Sequence, residues 1–165
     1  MGYTGRIVVA RSVASPVGLP ALGAEVLDVR ELGDGWWSVQ LDGDSAGAME
    51  GLVAATGAPV VSAFVLDSDC ADVEGLTPAG VRWRTYLHRD VAESFGAPAL
   101  EQSDDEVLRQ ALAWSADAGL AASRGELREV LELTNVFAED TFDELLQALG
   151  IPWLENRAAV RPSGD

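Results

Sequence analysis

The chain has 165 residues, 48% of them hydrophobic, which favours one globular domain with an ordinary core. It carries 27 acidic residues against 11 basic ones, all arginine, for a formal net charge of −16. The absence of lysine excludes a lysine-dependent phosphate-binding loop and Schiff-base chemistry, and the negative charge disfavours nucleic-acid binding.

The single cysteine, Cys70, cannot form an internal disulfide, which suits a reducing compartment. The N-terminal residues lack the apolar core of a signal peptide, and no apolar run approaches the length of a membrane span. We therefore expect a cytoplasmic protein without a membrane segment. Carboxylates surround Cys70 and disfavour its thiolate, so we expect a small buried apolar residue rather than a nucleophile.

Five segments in the first hundred residues are rich in apolar β-branched and aromatic side chains or alternate apolar with polar ones. Both patterns are typical of β-strands. The predicted strands cover residues 6–10, 25–32, 36–41, 60–66 and 81–88. Gly33, Asp34 and Gly35 are expected to join the second and third strands into a hairpin.

Two adjacent tryptophans lie in the third predicted strand. Trp36 and Trp37 must point to opposite faces, because successive side chains alternate along a strand. At least one must leave the core unless helices cover both faces of the sheet. An exposed tryptophan beside the hairpin turn is a candidate contact anchor, and the alternative is a tryptophan that lies over its own hairpin.

Helices are predicted by periodicity and by their terminal residues. Residues 45–56 have apolar side chains at helical spacing between a capping Asp44 or Ser45 and a terminating Gly57. A short helix is predicted over 90–95, and from residue 103 onward three capping boxes predict three helix starts. These boxes run from Ser103 to Glu106, from Ser123 to Glu126 and from Thr141 to Glu144.

The order of elements predicts an α+β fold of one domain. Residues 1–100 are expected to form a two-layer arrangement, in which an antiparallel or mixed sheet of about five strands has helices on one face. Residues 101–154 form a C-terminal three-helix segment packed on it, and 155–165 a loose tail.

Residues 101–150 hold 12 acidic and 3 basic residues, a net −9, and residues 1–100 hold 13 and 6, a net −7. The helical segment is thus the more acidic per residue.

Carboxylates follow the central strand 60–66 directly. Asp67, Asp69 and Asp72 come after this apolar run, and the resulting hhhhDxD pattern resembles motifs of haloacid-dehalogenase-type phosphatases and of metal-using glycosyltransferases. In such enzymes the carboxylates bind a divalent cation. This chain departs from both families. It lacks the lysine of the phosphatase pattern, and 165 residues hardly accommodate the nucleotide-binding half that a glycosyltransferase needs. A solvated loop is the more common outcome for so short a motif.

Cationic and aromatic residues share one face of the strand 81–88. Arg82 and Arg84 lie about 7 Å apart on that face and could bind a carboxylate or phosphate. The alternative is that they neutralise the neighbouring acidic segment. His88, the only histidine, ends this row without an oriented partner in the sequence, which predicts a surface or strand-end residue rather than an acid–base catalyst.

Three functions are compatible with these patterns, and small-molecule sensing in a pocket between the sheet and the helices is the weakest of them. The first is a non-enzymatic binding protein without a cofactor, whose acidic surface recognises a basic protein partner as an inhibitor or immunity protein does. Its candidate contact residues are Trp36, Trp37, Arg82, Arg84 and His88. The alternative is a hydrolase or transferase that uses Mg²⁺ or Mn²⁺ at Asp67, Asp69 and Asp72 on an anionic substrate. Carboxylates that converge on one point would favour the metal, and carboxylates interleaved with guanidinium groups would favour mutual neutralisation.

Overall fold

The computed structural model of the chain describes residues 2–12, 22, 24–44 and 47–153. Its strands are β1 (Gly5–Arg11), β2 (Val26–Gly33), β3 (Trp36–Leu41), β4 (Val60–Leu66), β5 (Cys70–Leu76) and β6 (Arg82–Leu87). Its helices are α1 (Ala48–Thr56), α2 (Arg89–Ser94), α3 (Asp104–Asp117), α4 (Arg124–Leu131) and α5 (Ala138–Ala148). The predicted loose tail, 155–165, lies outside the described residues.

The strands form one antiparallel sheet in the order β2-β3-β1-β4-β5-β6. The predicted α+β fold is therefore confirmed, with six strands instead of about five. The additional strand is β5, where the sequence pattern predicts a solvated acidic loop. Ala71 and Val73 point to the core while Asp72 and Glu74 point outward, so β5 has the alternation of a half-buried strand. None of the helices among the described residues combines the length and the apolar character needed to cross a membrane.

Helices cover both faces of the sheet, not one. Helices α3, α4 and α5 pack on the face that carries Val9, Val61 and Val73, and this larger core includes Trp114 and Phe142. Helix α1 packs on the opposite face. Its partners there are Val8, Val39 and Val60. The central strands β1 and β4 are apolar on both sides because each side meets a helix.

Two of the three predicted capping boxes are helix starts. Ser103 and Glu106 form the reciprocal box of α3, and the Ser123 hydroxyl accepts a hydrogen bond from the backbone N–H of Glu126. The third prediction is wrong, because α5 begins three residues before Thr141 and has Phe137 as its N-cap. Thr141 is buried in the first half of the helix, where tertiary contacts use its hydroxyl.

Helix α1 is also capped differently from the prediction. Its N-cap is Gly47, without a side-chain hydrogen bond, and the carboxylate of the predicted cap Asp44 binds Arg6 instead. Ser45, the other predicted cap, lies outside the described residues. Gly57 ends the helix in the left-handed conformation, with φ of 65°, as its sequence position predicted.

The N-terminal segment closes over the turn between β4 and β5. The backbone N–H of Tyr3 donates to the Ser68 hydroxyl at 2.8 Å, and the N–H of Ser68 donates to the Tyr3 carbonyl at 2.8 Å. The Tyr3 hydroxyl donates to the Leu41 carbonyl at 2.6 Å. Burial, followed by the negative charge of Glu139, raises the pKa of Tyr3 to about 12.

This raised pKa predicts an alkaline loss of stability. An unfolded tyrosine ionises near pH 10, about two pH units below the folded Tyr3. The stabilisation is therefore complete below pH 10 and is lost as the pH rises through the folded value. Absorbance at 295 nm should resolve the late ionisation, and Tyr3→Phe should lose less stability between pH 10 and pH 12 than the wild type. Ionisation of Tyr3 near pH 10 would contradict the assignment.

Candidate functional site

The first two carboxylates of the predicted metal motif lie in a tight turn. Asp67 and Ser68 have φ values of 52° and 58°, and the N–H of Asp69 donates to the Leu66 carbonyl at 2.9 Å. Two successive residues with positive φ are the requirement of a type I′ hairpin turn. The turn is held from outside, since the N–H of Gly2 donates to the Asp67 carboxylate at 2.7 Å. The DxD pattern thus coincides with the hairpin turn between β4 and β5.

The third carboxylate, Asp72, is bound by arginine. Arg84 on the neighbouring β6 donates to both oxygens of Asp72, at 2.9 and 2.6 Å. This bidentate hydrogen bonding raises the pKa of Arg84 above its usual value. Arg82 donates to Glu50 at 3.1 Å and lies 3.8 Å from Glu74. Carboxylates and guanidinium groups are thus interleaved in this region. In the described part of the chain, no group of three or more His, Cys, Asp or Glu side chains could hold a metal ion.

The two candidate tryptophans point to opposite faces of β3, but neither is an exposed anchor. Trp36 is fully buried in the core, and the Arg11 guanidinium lies 4.8 Å from its ring. Trp37 is half-buried on the other face, and its indole N–H donates to the Ser12 carbonyl at 3.2 Å. A partner has no access to Trp36 in this structure.

His88 is a buried connector with only 4% of its surface exposed. It follows β6, has a left-handed backbone with φ of 56°, and precedes α2. Its Nδ1 donates to the Asp69 carbonyl at 2.8 Å. Its Nε2 accepts from the backbone N–H of Asn135 at 3.2 Å and from the Thr141 hydroxyl at 2.8 Å. Because a backbone N–H can only donate, these partners define a neutral ring with its proton on Nδ1.

The His88 network joins three parts of the chain that are distant in sequence. Asp69 belongs to the β4–β5 turn, Asn135 to the α4–α5 connection and Thr141 to α5. The Asn135 side chain extends the network by donating to Thr141 and to Glu144, each at 2.8 Å. His88 therefore positions the α4–α5 connection against the sheet and is not a surface contact.

Cys70 lies at the start of β5 with 5% of its surface exposed, as a small buried residue should. Burial, with a smaller contribution from Asp69 and Asp72, raises the pKa of its thiol. The thiol therefore has little thiolate character near neutral pH.

Most described arginines are paired with carboxylates of the same chain. These ion pairs are Arg6 with Asp44, Arg30 with Asp143, Arg82 with Glu50 and Glu74, Arg84 with Asp72, Arg89 with Asp104, and Arg124 and Arg128 with Asp105. Because carboxylates far outnumber arginines, such pairing leaves a large uncompensated negative charge at other places on the surface.

A groove between α4 and α5 concentrates this uncompensated charge. It has a volume of about 730 Å³. Its lining residues, which we call the acidic groove, are Glu126, Glu129, Val130, Glu132, Leu133, Glu144, Gln147 and Ala148. Four of these eight are glutamates and none is an arginine, because both arginines of α4 pair with Asp105 on α3. All four glutamates are exposed.

An exposed apolar stretch follows the groove-lining part of α4 in the chain and shares Leu133 with the acidic groove. Residues 133–137, the apolar stretch, include Leu133 at 36% exposure, Val136 at 83% and Phe137 at 49%. Among the described residues only six large apolar side chains are exposed, and three of them lie here. Acidic and apolar surface therefore occur side by side, which is the composition of a binding site more than of a purely solvated helix face.

Two other concave regions are less distinctive. A cavity of about 270 Å³ beside His88 is bordered by Arg89 and Arg128, which both pair with carboxylates of α3. A groove of about 180 Å³ between the sheet and the chain after α2 is largely apolar and is bordered by Phe64, Phe95 and the Arg84–Asp72 pair. Neither concentrates charge of one sign.

Sequence reasoning did not identify the acidic groove. Its signal was present, since Glu126 and Glu129 are three residues apart and the helical segment was recognised as strongly acidic. The approach of α5 to that face of α4 depends on tertiary packing, which spacing alone does not reveal. Comparison with protein-family models, with curated proteins and with solved structures gives no match.

Proposed function

We propose that this protein is a non-enzymatic binding protein whose acidic groove recognises a basic surface of a partner protein, in the manner of an inhibitor or immunity protein. The observation that carries the proposal is the set of four glutamates around one groove without a described cation among its lining residues. An arginine or lysine of the partner would meet several carboxylates there and displace none of the protein's own ion pairs.

The overall charge also supports recognition of a basic partner. A net charge of −16 on 165 residues accelerates encounter with a basic partner and opposes association of the chain with itself. The groove floor adds an uncharged component, because Val130 and Ala148 lie at its base and Leu133 at its end. Electrostatic attraction would then set the association rate and apolar burial would extend the lifetime of the complex.

The proposal is tested by affinity capture from the native host with two variants of equal charge. The groove variant carries Glu126→Gln, Glu129→Gln and Glu132→Gln. The matched control carries Glu93→Gln, Glu101→Gln and Asp117→Asn, three exposed acids outside the groove. Wild type and control should retain the same stoichiometric partner, released by high salt, and the groove variant should lose it. No retained partner, or equal loss from both variants, would overturn the proposal.

A further inference from the structure

We infer that the segment bound in the acidic groove is an amphipathic α-helix, with an apolar stripe on the apolar stretch and arginine or lysine on both sides of that stripe. This inference rests on the proposed function and specifies the partner. It follows from the shape of the groove, from the order of charged and apolar residues across it, and from the support behind the apolar stretch.

The groove has an apolar floor between two polar walls. Glu126, Glu129, Val130 and Leu133 recur along one face of α4 and its C-terminal extension at helical spacing. Glu144 and Gln147 line the opposite side from α5, and Ala148 contributes to the floor. Seven residues of helix span about 10 Å, so the groove accommodates roughly two turns of a partner helix.

A helix fits this arrangement better than an extended strand. A helix presents an apolar stripe with polar residues on both flanks, so its cations can reach both walls while the stripe covers the floor. A strand presents alternate side chains to opposite faces, so its cations would point away from the groove when its apolar side chains point into it. Three of the four glutamates lie on the α4 side of the groove. The partner helix should therefore carry more of its arginine or lysine residues on the flank that faces α4.

The apolar stretch supplies the anchor at one end of the groove. Val136 and Phe137 are the two most exposed of its large side chains, at 83% and 49%. A second copy of this chain would bring glutamates against glutamates, which disfavours self-association through the same face. A basic helix satisfies the acidic walls and covers the apolar side chains at once.

Hydrogen bonds of Asn135 to the protein interior hold the apolar stretch in place without a partner. Asn135 lies between the exposed side chains, and its backbone N–H donates to the buried His88. Its side chain donates to Thr141 and to the groove residue Glu144, each at 2.8 Å. This support fixes both the anchor and one groove carboxylate, which reduces the ordering cost of binding.

Two synthetic peptides of identical composition test the inference. Both contain arginine, leucine and alanine and differ only in order: one places its leucines in a single helical stripe flanked by arginine, and the other distributes them around the helix. Calorimetry with the full chain should show about tenfold tighter binding of the striped peptide. Val136→Ser with Phe137→Ser should remove that advantage and leave the affinity for the other peptide unchanged. Leu27→Ser, at an exposed position on β2, is the matched control and should change neither.

The outcomes separate the inference from the function on which it rests. Equal binding of both peptides by the wild type would overturn the amphipathic helix and leave recognition of basic surfaces in place. A striped-peptide advantage that survives the double substitution would also overturn it. Failure of both peptides to bind at low salt would count against the proposed function itself.

Discussion

Substitution of Gly75 by alanine should destabilise the protein by about 2–3 kcal/mol, the upper part of the range for overpacked cores. Gly75 lies on the interior strand β5 directly opposite Trp83 on β6. A Cβ atom at Gly75 would overlap the indole ring, and Trp83 is itself buried among core residues. The ring packs where a side chain of residue 75 would otherwise stand. Urea unfolding of the purified variant measures the loss.

Gly125→Ala provides the matched control for that substitution. Gly125 lies in α4, and the nearest atom to an added Cβ is the Ser123 hydroxyl at 3.8 Å, an ordinary contact. Alanine should therefore stabilise this helix by about 0.5–1 kcal/mol. Gly75→Ala should cost less in a Trp83→Leu background than in the wild type, because the smaller side chain vacates the space, and a double-mutant cycle measures that difference. A Gly75→Ala protein as stable as the wild type would contradict the packing described here.

Replacement of His88 by alanine should lower the free energy of unfolding by about 3 kcal/mol. The change leaves the Asp69 carbonyl, the Asn135 N–H and the Thr141 hydroxyl without their common partner, in a region that water reaches poorly. It also opens a cavity where the ring was. Equilibrium unfolding measures the cost, and hydrogen exchange at Asn135 should show faster exchange of this amide than in the wild type.

His88→Asn distinguishes the hydrogen bond to the Asp69 carbonyl from the hydrogen bond with the Asn135 N–H. Asparagine tolerates the positive φ of this position, and its amide can still donate to the Asp69 carbonyl. It is too short to accept from Asn135. The variant should therefore be intermediate in stability between wild type and His88→Ala, with exchange at Asn135 still accelerated. Ordinary surface substitutions change the free energy of unfolding by up to about 0.5 kcal/mol. If His88→Ala changes it by no more than that, His88 does not connect the sheet to the α4–α5 connection.

Much of the sheet was predictable because its signals are local. The apolar central run of β4 and the alternation in β6 each identify a strand from consecutive residues alone. Strand β5 was not predictable in this way, since Asp67, Asp69 and Asp72 made the whole segment resemble a loop. Only the register, which pairs Asp72 with Tyr86 and leaves Arg84 diagonal to Asp72 within hydrogen-bond distance, shows that Asp72 belongs to a paired strand.

The helix starts show where local signals stop being sufficient. Ser103 and Ser123 are the N-caps that the pattern predicts, although only Ser103 forms the complete reciprocal box. Thr141 fits the same pattern but lies inside α5, because Ala138 and Phe142 are drawn into the core and extend the helix toward its N-terminus. Tertiary burial outweighs the local cap at this position.

The candidate site was predictable only in part. Composition identified the acidic helical segment. For Arg82 and Arg84, pairing with neighbouring carboxylates of the same chain was one of the two interpretations that the sequence left open. The acidic groove requires two helices to meet, and the buried position of His88 requires a contact with Asn135, 47 residues away. Pairwise contacts over such separations leave no trace in the spacing of a single sequence.

The most direct test of the central claim maps the bound surface by NMR. Backbone amide shifts of the ¹⁵N-labelled chain are followed as the striped basic peptide is added at low salt. The largest changes should fall on residues 126–137 and 144–148, and should vanish in the Glu126→Gln, Glu129→Gln, Glu132→Gln variant. Changes centred on the β4–β5 turn or on the Arg82 and Arg84 face of the sheet, with α4 and α5 unaffected, would contradict it.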